Sequence, residues 1–162
     1  MIGRVYRVAG YVKLAKLWER SREQALVYHN EYYKEKYDGN ETMSLVDVYV
    51  DITGQKQISK RPEMLRLLRD CTFGTVDCIA VQTKAYLAAN SREFCYLLKY
   101  LFDLPGVIEI VAEDDSYQID TIRNTENQRE ALRKMADDFV ALDVAAYEKW
   151  KTQIQKGIEL LR

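Results

Sequence analysis

The sequence predicts an α/β domain in which a mostly parallel sheet of four or five strands is flanked by helices. Short apolar runs of strand length alternate along the chain with segments whose apolar residues recur every three or four positions. Only two prolines interrupt this order, and no segment repeats another. With 162 residues, 48% apolar and 30% charged, the chain is long enough to bury one core but not two. We therefore expect a single soluble domain.

The first third of the chain predicts a strand, a helix and a second strand. Residues 4–14 interleave Val, Tyr and Leu with polar residues, a pattern typical of a strand. Ser21 and Gln24 have the spacing of a capping box, in which each side chain bonds a free backbone N–H at a helix start. The helix is expected to end near Tyr37, before an Asp-Gly-Asn turn, and the second strand to occupy residues 45–50.

The middle of the chain continues the alternation with two helices and two strands. Pro62 stands just inside a helix start, and the apolar stripe that follows it ends before Gly74. Residues 76–81 form an almost uninterrupted apolar run, which indicates a central strand covered on both faces. Asn90 is placed to cap the next helix, and residues 107–111 form the last apolar run of strand length.

A final helix is expected to begin at Thr125, which has capping-box spacing to Gln128, and to continue to the C-terminus. Its apolar residues advance by three or four positions over almost nine turns: Leu132, Met135, Phe139, Leu142, Ala146, Trp150, Ile154, Ile158 and Leu161. A straight helix of that length measures about 50 Å, more than the width of a domain of this size. Residues 1–122 would then form the α/β domain and residues 123–162 its long C-terminal helix.

The length of this stripe predicts a homodimer, because part of it would extend past its own core. The candidates for the dimer interface are Phe139, Trp150, Ile154, Ile158 and Leu161. The alternative is a helix that lies partly on its own domain and has a frayed end.

The charge of the chain limits its nucleic-acid partners. The formal net charge is −1 and the pI about 5.9, whereas a domain that binds duplex DNA by itself usually has a basic balance. We expect any DNA contact to be weak and to come from a local patch or a partner. No run approaches the ~18 apolar residues of a membrane span, and the N-terminus lacks the apolar segment of a secretory signal, so we expect a cytoplasmic protein without membrane contact.

No pattern in the sequence indicates a metal or a cofactor. Cys71, Cys78 and Cys95 lack CxxC spacing, so we expect reduced cysteines that pack in the core. The chain has one histidine, which makes a structural zinc site a poor prediction. The acidic run at residues 113–115 is expected to be a solvated loop rather than a ligand set, and the glycines form no nucleotide-binding motif.

The one histidine, His29, lies among tyrosines in the first predicted helix, and we expect it to be structural rather than catalytic. The tyrosines of this helix are Tyr28, Tyr32, Tyr33 and Tyr37. Their helical spacing favours packing over the stacking of nucleic-acid bases.

A set of ordered segments carries a resemblance to a known family. They are Tyr11-Val12-Lys13-Leu14-Ala15, Val50-Asp51-Ile52-Thr53-Gly54, Arg61-Pro62-Glu63-Met64-Leu65, Gly74-Thr75-Val76-Asp77-Cys78, Gly106-Val107-Ile108-Glu109-Ile110 and Ile119-Asp120-Thr121. In order and spacing they resemble the N-terminal catalytic domain of serine recombinases of the resolvase/invertase family. The resemblance covers nearly the whole chain and implies a three-layer, resolvase-like domain followed by a long dimerisation helix.

The departures from the family pattern all fall on its chemistry. The family's nucleophile position is occupied here by Ala15, and its arginine positions by Lys13, Arg61, Tyr86 and Ala89. Ala85 stands where the family has the Asp of its Asp-Arg-Leu-x-Arg motif. The nucleophilic serine is replaced by Ala15, whose methyl group cannot form a phosphoserine bond. Lys13 keeps a charge but loses the bidentate fork of arginine, and Arg61 is the one arginine that remains. The resemblance also gives Asp51 and Gln24 as supporting positions.

These departures lead to three hypotheses about function. The first is a catalytically inactive remnant or regulator of site-specific DNA recombination that dimerises with itself or with a full-length serine recombinase of the same mobile element. The second is an accessory DNA-binding protein that does not cleave and that contacts phosphates through Arg7, Lys13, Lys16, Arg20 and Arg61. The third is a repurposed small-molecule or protein-binding module, with its site beside Ala15, Thr53 and Tyr86. The DNA-reading domain that follows the long helix in the family has no counterpart before Arg162.

Overall fold

The structure is a computed structural model that describes residues 4–113, 119–123 and 128–161. The strands are β1 (Tyr6–Leu14), β2 (Met43–Ile52), β3 (Cys78–Val81), β4 (Glu109–Ala112) and β5 (Ile119–Asp120). The helices are α1 (Arg22–Tyr37), α2 (Pro62–Thr72), α3 (Ser91–Phe102), α4 (Gln128–Ala141) and α5 (Val144–Glu159). Three short 3₁₀ segments, Lys16–Ser21, Ile58–Lys60 and Lys84–Tyr86, connect them.

The strands form one sheet in the order β2-β1-β3-β4-β5. The first four strands are parallel, and β5 pairs antiparallel with β4. The predicted α/β fold with a mostly parallel, five-stranded sheet is therefore confirmed.

The sheet has a core on each face, because successive side chains of a strand point to opposite sides. Val8 and Val12 of β1 pack on one face with α1, whereas Tyr11 packs on the other with α2, α3, α4 and α5. At Gly10, a Cβ atom would lie 2.8 Å from the ring of Tyr33, so this close contact between β1 and α1 requires glycine. Helix α1 thus forms one outer layer and the other four helices form the second.

The predicted helix caps have three different outcomes. The Asn90 side chain accepts a hydrogen bond from the Glu93 N–H at 2.9 Å and caps α3. Ser21 is the N-cap of α1, but its side chain makes no capping bond, because a 3₁₀ turn leads directly into the helix. Thr125 lies outside the described residues.

The C-terminal part of the chain differs from its prediction. Instead of one helix of almost nine turns, there are two helices with a break at Leu142 and Asp143. The Asp143 side chain accepts a hydrogen bond from the Ala146 N–H at 3.1 Å, which caps the start of α5. Helix α5 then folds back on α2 and on the 3₁₀ segment Ile58–Lys60.

This fold-back buries the apolar stripe inside a single chain. Trp150 is 8% exposed and Ile154 is fully buried, and both belong to the same core cluster as Leu65 of α2. Phe139, Ile158 and Leu161 are partly buried against that cluster. The expectation that the stripe extends past its own core was therefore wrong. Trp150 and Ile154 are therefore not available to a second chain while α5 stays docked.

Two smaller expectations concern the cysteines and the membrane. Cys71, Cys78 and Cys95 are free thiols and are buried, as predicted for packing residues. Among the described residues, no helix combines the length and the apolar character that crossing a membrane requires.

Candidate functional site

The positions that the resemblance assigns to catalysis meet at the carboxyl end of the parallel strands. Lys13 of β1 and Asp51 of β2 are register partners near the ends of their strands, and Ala15 follows directly after β1. Arg61 precedes α2, whose first turn lies beside Asp51. Ligand sites in open α/β sheets occur at this edge, so the location is that of a site.

Asp51 is the central acceptor of this site and is only 3% exposed. One carboxylate oxygen accepts the Glu63 N–H at 2.9 Å, and the other accepts the Met64 N–H at 2.9 Å. The second oxygen also accepts the hydroxyl proton of Tyr11 at 2.8 Å. Asp51 therefore caps α2 from a neighbouring strand, which satisfies two N–H groups of its first turn and places a negative charge at the positive end of the helix.

The pKa of the Tyr11 phenol is changed by this environment. Its hydroxyl is buried next to the Asp51 carboxylate, and burial first and the neighbouring charge second raise the pKa of the phenol well above its usual value. Tyr11 therefore stays a neutral donor to Asp51.

Arg61 is 1% exposed, and its guanidinium bonds backbone carbonyls. One terminal nitrogen donates to the Tyr86 carbonyl at 2.6 Å, and the other donates to the Lys56 carbonyl at 2.5 Å. Its Nε is buried without a hydrogen-bond partner among the described residues. Because its terminal nitrogens are already bonded, Arg61 joins the loop before α2 to the 3₁₀ turn after β3.

Lys13 is the remaining cation inside the site. It is partly buried, and its ammonium donates to the Thr53 carbonyl at 3.2 Å. Burial and the nearby Arg61 charge lower the pKa of Lys13, and the Asp51 carboxylate partly opposes them. Of these two cations, Arg61 is enclosed and Lys13 is partly desolvated.

The other positions of the family pattern contribute little chemistry. Ala15 and Ala85 are exposed methyl groups, and Tyr86 and Ala89 are partly buried. Tyr86 offers its carbonyl to Arg61, and the Ala89 N–H donates to Glu93 at 3.0 Å. These positions therefore act here through the backbone.

The DNA-contact candidates divide into two locations. Lys16 and Arg20 are exposed on the 3₁₀ segment after Ala15, and neither forms an ion pair or a hydrogen bond with another described residue. Arg7 does not belong with them. It lies at the opposite end of β1, where its guanidinium and backbone N–H bind Asp77. Grouping Arg7 with the phosphate pocket was wrong, because Arg7 lies near the start of β1 and the pocket lies beyond the end of this strand.

Gln24, the second supporting position, is an exposed residue in the first turns of α1. Its side chain is not among the groups that bond the buried Asp51.

Glu93 is a buried residue that the sequence reasoning missed. Its carboxylate is 6% exposed and accepts the N–H groups of Ile58 at 3.2 Å and Ala89 at 3.0 Å. It also accepts the indole N–H of Trp150 at 2.9 Å, which ties α5 to α3. The signal was present as Asn90-x-x-Glu93, a capping-box spacing at the start of α3.

The other chemical candidates are structural. His29 is 8% exposed on α1, and burial lowers the pKa of its imidazole. Tyr33 and Tyr37 pack in the core beneath α1, and Glu113 binds the Tyr32 hydroxyl and the Lys36 ammonium. No cluster of metal-binding side chains occurs in the part of the chain that the structure describes, and residues 114 and 115 of the acidic run lie outside that part.

Comparison with solved structures shows that the α/β fold is resolvase-like. The N-terminal catalytic domain of TP901-1 integrase superposes with a TM-score of 0.57 and 18% sequence identity, over 85% of this chain and 95% of that one.

Two further structures are similar at lower scores. The C-terminal catalytic domain of ISC1926 TnpA, an IS607-like serine recombinase, has a TM-score of 0.48 and 17% identity over 95% of this chain and 97% of that one. A resolvase family site-specific recombinase from Streptococcus pneumoniae has a TM-score of 0.49 and 14% identity over 93% and 98%. No protein-family profile and no curated protein matches the sequence. At these identities the likeness establishes the fold and leaves the activity open.

The geometry at Asp51 makes a first testable prediction. Asp51→Asn replaces one acceptor oxygen with a donor that faces an N–H or O–H group, so we expect the free energy of unfolding in urea to fall by about 2–4 kcal/mol. Asp47→Asn is the matched control, since Asp47 lies on the same strand with a side chain 45% exposed and pairs with Arg66. The control should lose less than about 1 kcal/mol. Equal losses in the two variants would show that Asp51 is not the cap of α2.

Proposed function

We propose that this chain is a non-cleaving domain of the serine-recombinase fold that regulates site-specific DNA recombination by associating with chains of the same fold. One observation carries the proposal. At the position that the resemblance gives to the nucleophile stands Ala15, and the arginine that remains beside it, Arg61, is bound to the carbonyls of Tyr86 and Lys56.

The chemistry of strand exchange explains why this observation matters. The reaction needs an oxygen nucleophile, together with cations that gather the phosphate and stabilise its transition state. A methyl group supplies no nucleophile, and Tyr86 and Ala89 supply no positive charge at two of the family's arginine positions. Ala15→Ser alone would therefore not restore cleavage.

Association is supported by the break between α4 and α5. The apolar stripe keeps its spacing of three and four residues across Leu142 and Asp143, and neither residue is a glycine or a proline. Leu142 is 82% exposed and Val144 53% exposed at this break. If the break became helical, α4 and α5 would form one helix of about 48 Å and carry α5 away from its own core.

In that open form, α5 would dock on the α2 and α3 surface of a second chain. It would make there the same contacts that it now makes within its own chain. Such an exchange of identical elements is a low-cost route to a dimer, because it needs no new interface. The partner is a second copy or, in a mixed assembly, a full-length serine recombinase. A subunit without a nucleophile would leave part of such an assembly unable to cut.

The exchange is tested at the break itself. Asp143→Ala removes the cap of α5 and favours a continuous helix, which disfavours the folded-back form by about 0.5–2 kcal/mol. We expect sedimentation velocity between about 5 and 500 µM to show a dimer fraction that rises with concentration. Because both chains of an exchanged dimer give up the folded-back form, the dissociation constant of the variant should be roughly 5- to 900-fold lower.

Asp138→Ala is the control, because Asp138 is exposed on α4 and pairs only with Lys134, one turn before it. It should leave the dissociation constant unchanged. Monomers at every concentration for the natural chain and for Asp143→Ala would contradict the association.

The second candidate function is accessory DNA binding without cleavage. The observation that favours it is the 3₁₀ segment after Ala15, where Lys16 and Arg20 are exposed beside Leu17 and Trp18, which are 73% and 46% exposed. Cations without acidic partners, next to an aromatic ring, suit phosphates and unstacked bases. The net charge of −1 weighs against it.

Fluorescence anisotropy with mixed-sequence duplex DNA at about 50 and 200 mM salt separates the two candidates. The dimerising regulator is expected to bind at neither concentration. The accessory protein would bind at the lower salt and weaken sharply at the higher, and neutralising Lys16 and Arg20 to glutamine would abolish binding. Lys34→Gln with Lys36→Gln, on the far end of α1, is the charge-matched control.

A further inference from the structure

A cavity of about 330 Å³ lies outside the family's catalytic positions, between the start of α3, the 3₁₀ segment Ile58–Lys60 and α5. Its wall contains two cations, two buried aromatic rings and several neutral polar side chains. The residues are Gln57, Ser59, Ala89, Asn90, Arg92, Glu93, Tyr96, Ala146, Lys149, Trp150 and Gln153. We propose that this cavity binds a small planar aromatic anion, with its ring on Tyr96 and Trp150 and its charge between Arg92 and Lys149.

The two cations are available to a ligand. Arg92 and Lys149 are exposed, and neither forms an ion pair or a hydrogen bond with a residue of the described part of the chain. The Arg92 guanidinium lies over the Tyr96 ring, 5.9 Å from its centre, so charge and aromatic surface adjoin in the cavity wall. Many other cations of this chain, such as Arg66 and Arg129, bind carboxylates instead.

Glu93, the one carboxylate of the wall, does not cancel this positive charge at the surface of the cavity. Both of its oxygens accept N–H groups, from Ile58, Ala89 and Trp150, and the residue is 6% exposed. Its charge also lies in the first turn of α3, where the positive end of the helix dipole balances it. The charges left for a ligand are the two cations.

The aromatic rings supply the apolar part of the site. The centres of the Tyr96 and Trp150 rings are 5.6 Å apart, with 50° between their planes. The two side chains are 5% and 8% exposed, and both line the cavity. A planar ring packed against the edges of these rings that line the cavity removes the remaining apolar area from water, and the nearby guanidinium pairs with a carboxylate or phosphate on that ring. The volume lies at the lower end of the range of small-molecule pockets.

This inference is independent of the proposed role in recombination. It does depend on a docked α5, because Ala146, Lys149, Trp150 and Gln153 all belong to that helix. A ligand in the cavity therefore binds only the folded-back form and stabilises it.

The test uses the indole N–H of Trp150 as the reporter in ¹H–¹⁵N spectra of the whole chain. The chain has two tryptophans, so the Trp18→Phe spectrum assigns the Trp150 signal. The probes are adenosine monophosphate and 2-naphthoate, which carry phosphate and carboxylate, and their neutral counterparts adenosine and 2-naphthamide. We expect a saturable shift of the Trp150 signal with at least one anion, which also shows which of the two acid groups the site takes. Its neutral counterpart should bind at least about tenfold more weakly.

The double variant Arg92→Gln, Lys149→Gln should weaken the binding of the anion at least about tenfold. Both side chains are exposed, so the variant is expected to fold normally, as its thermal midpoint will show. Lys156→Gln, on the same helix but outside the cavity, is the control and should bind as the natural chain does. No shift below about 10 mM of either anion, equal binding of the neutral probes, or equal weakening in the control would each overturn the proposal.

Discussion

The structure depends on one buried carboxylate at the end of the sheet. Asp51 accepts two backbone N–H groups from the first turn of α2 and the hydroxyl of Tyr11, so a single side chain connects β1, β2 and α2. Each bond satisfies a donor that would otherwise lack a partner. Leaving such a buried donor unsatisfied costs about 1–3 kcal/mol of folding free energy. The position of α2 relative to the sheet follows from these bonds, and with it the position of every group at this edge.

Arg61 continues the same arrangement one residue before α2. Its guanidinium bonds the carbonyls of Lys56 and Tyr86, which lie in two loops that meet at the carboxyl edge. Such an edge serves ligands in most open α/β folds. Here the guanidinium of Arg61 bonds the protein's own backbone. Lys16 and Arg20 face solvent, but they lie on the 3₁₀ segment after β1, outside this edge. At this edge Arg61 thus bonds the backbone, and positions 15, 85 and 89 are alanines.

The sequence predicted the sheet and the helices α1, α2 and α3 well, because their apolar periodicities are set by local geometry. The continuous apolar run at residues 76–81 became the buried strand β3, and Asn90 capped α3 as its side chain allows. The break before α5 was missed because the apolar spacing continues unchanged across Leu142 and Asp143. Asp143 can either continue a helix or cap a new one. Tertiary contacts of α5 decide between the two, and the apolar periodicity carries no information about those contacts.

The site was predicted less completely for a similar reason. Residue identity shows that positions 15, 86 and 89 carry neither the nucleophile nor the arginines that the resemblance assigns to them. It did not reveal that Arg61 is enclosed, that Glu93 accepts the Trp150 indole, or that Arg7 lies at the other end of its strand. These facts depend on which loops meet in space.

We infer that Arg61 serves the fold rather than a phosphate, and urea unfolding of Arg61→Met is the experiment that decides between these two roles. The substitution keeps an unbranched apolar side chain but leaves the carbonyls of Lys56 and Tyr86 without their donors. We predict a loss of at least about 2 kcal/mol in the free energy of unfolding, against less than about 0.5 kcal/mol for Lys60→Met at the exposed neighbouring position. An Arg61→Met chain as stable as the natural one, or more stable, would contradict the claim, because residues kept for binding commonly lower stability.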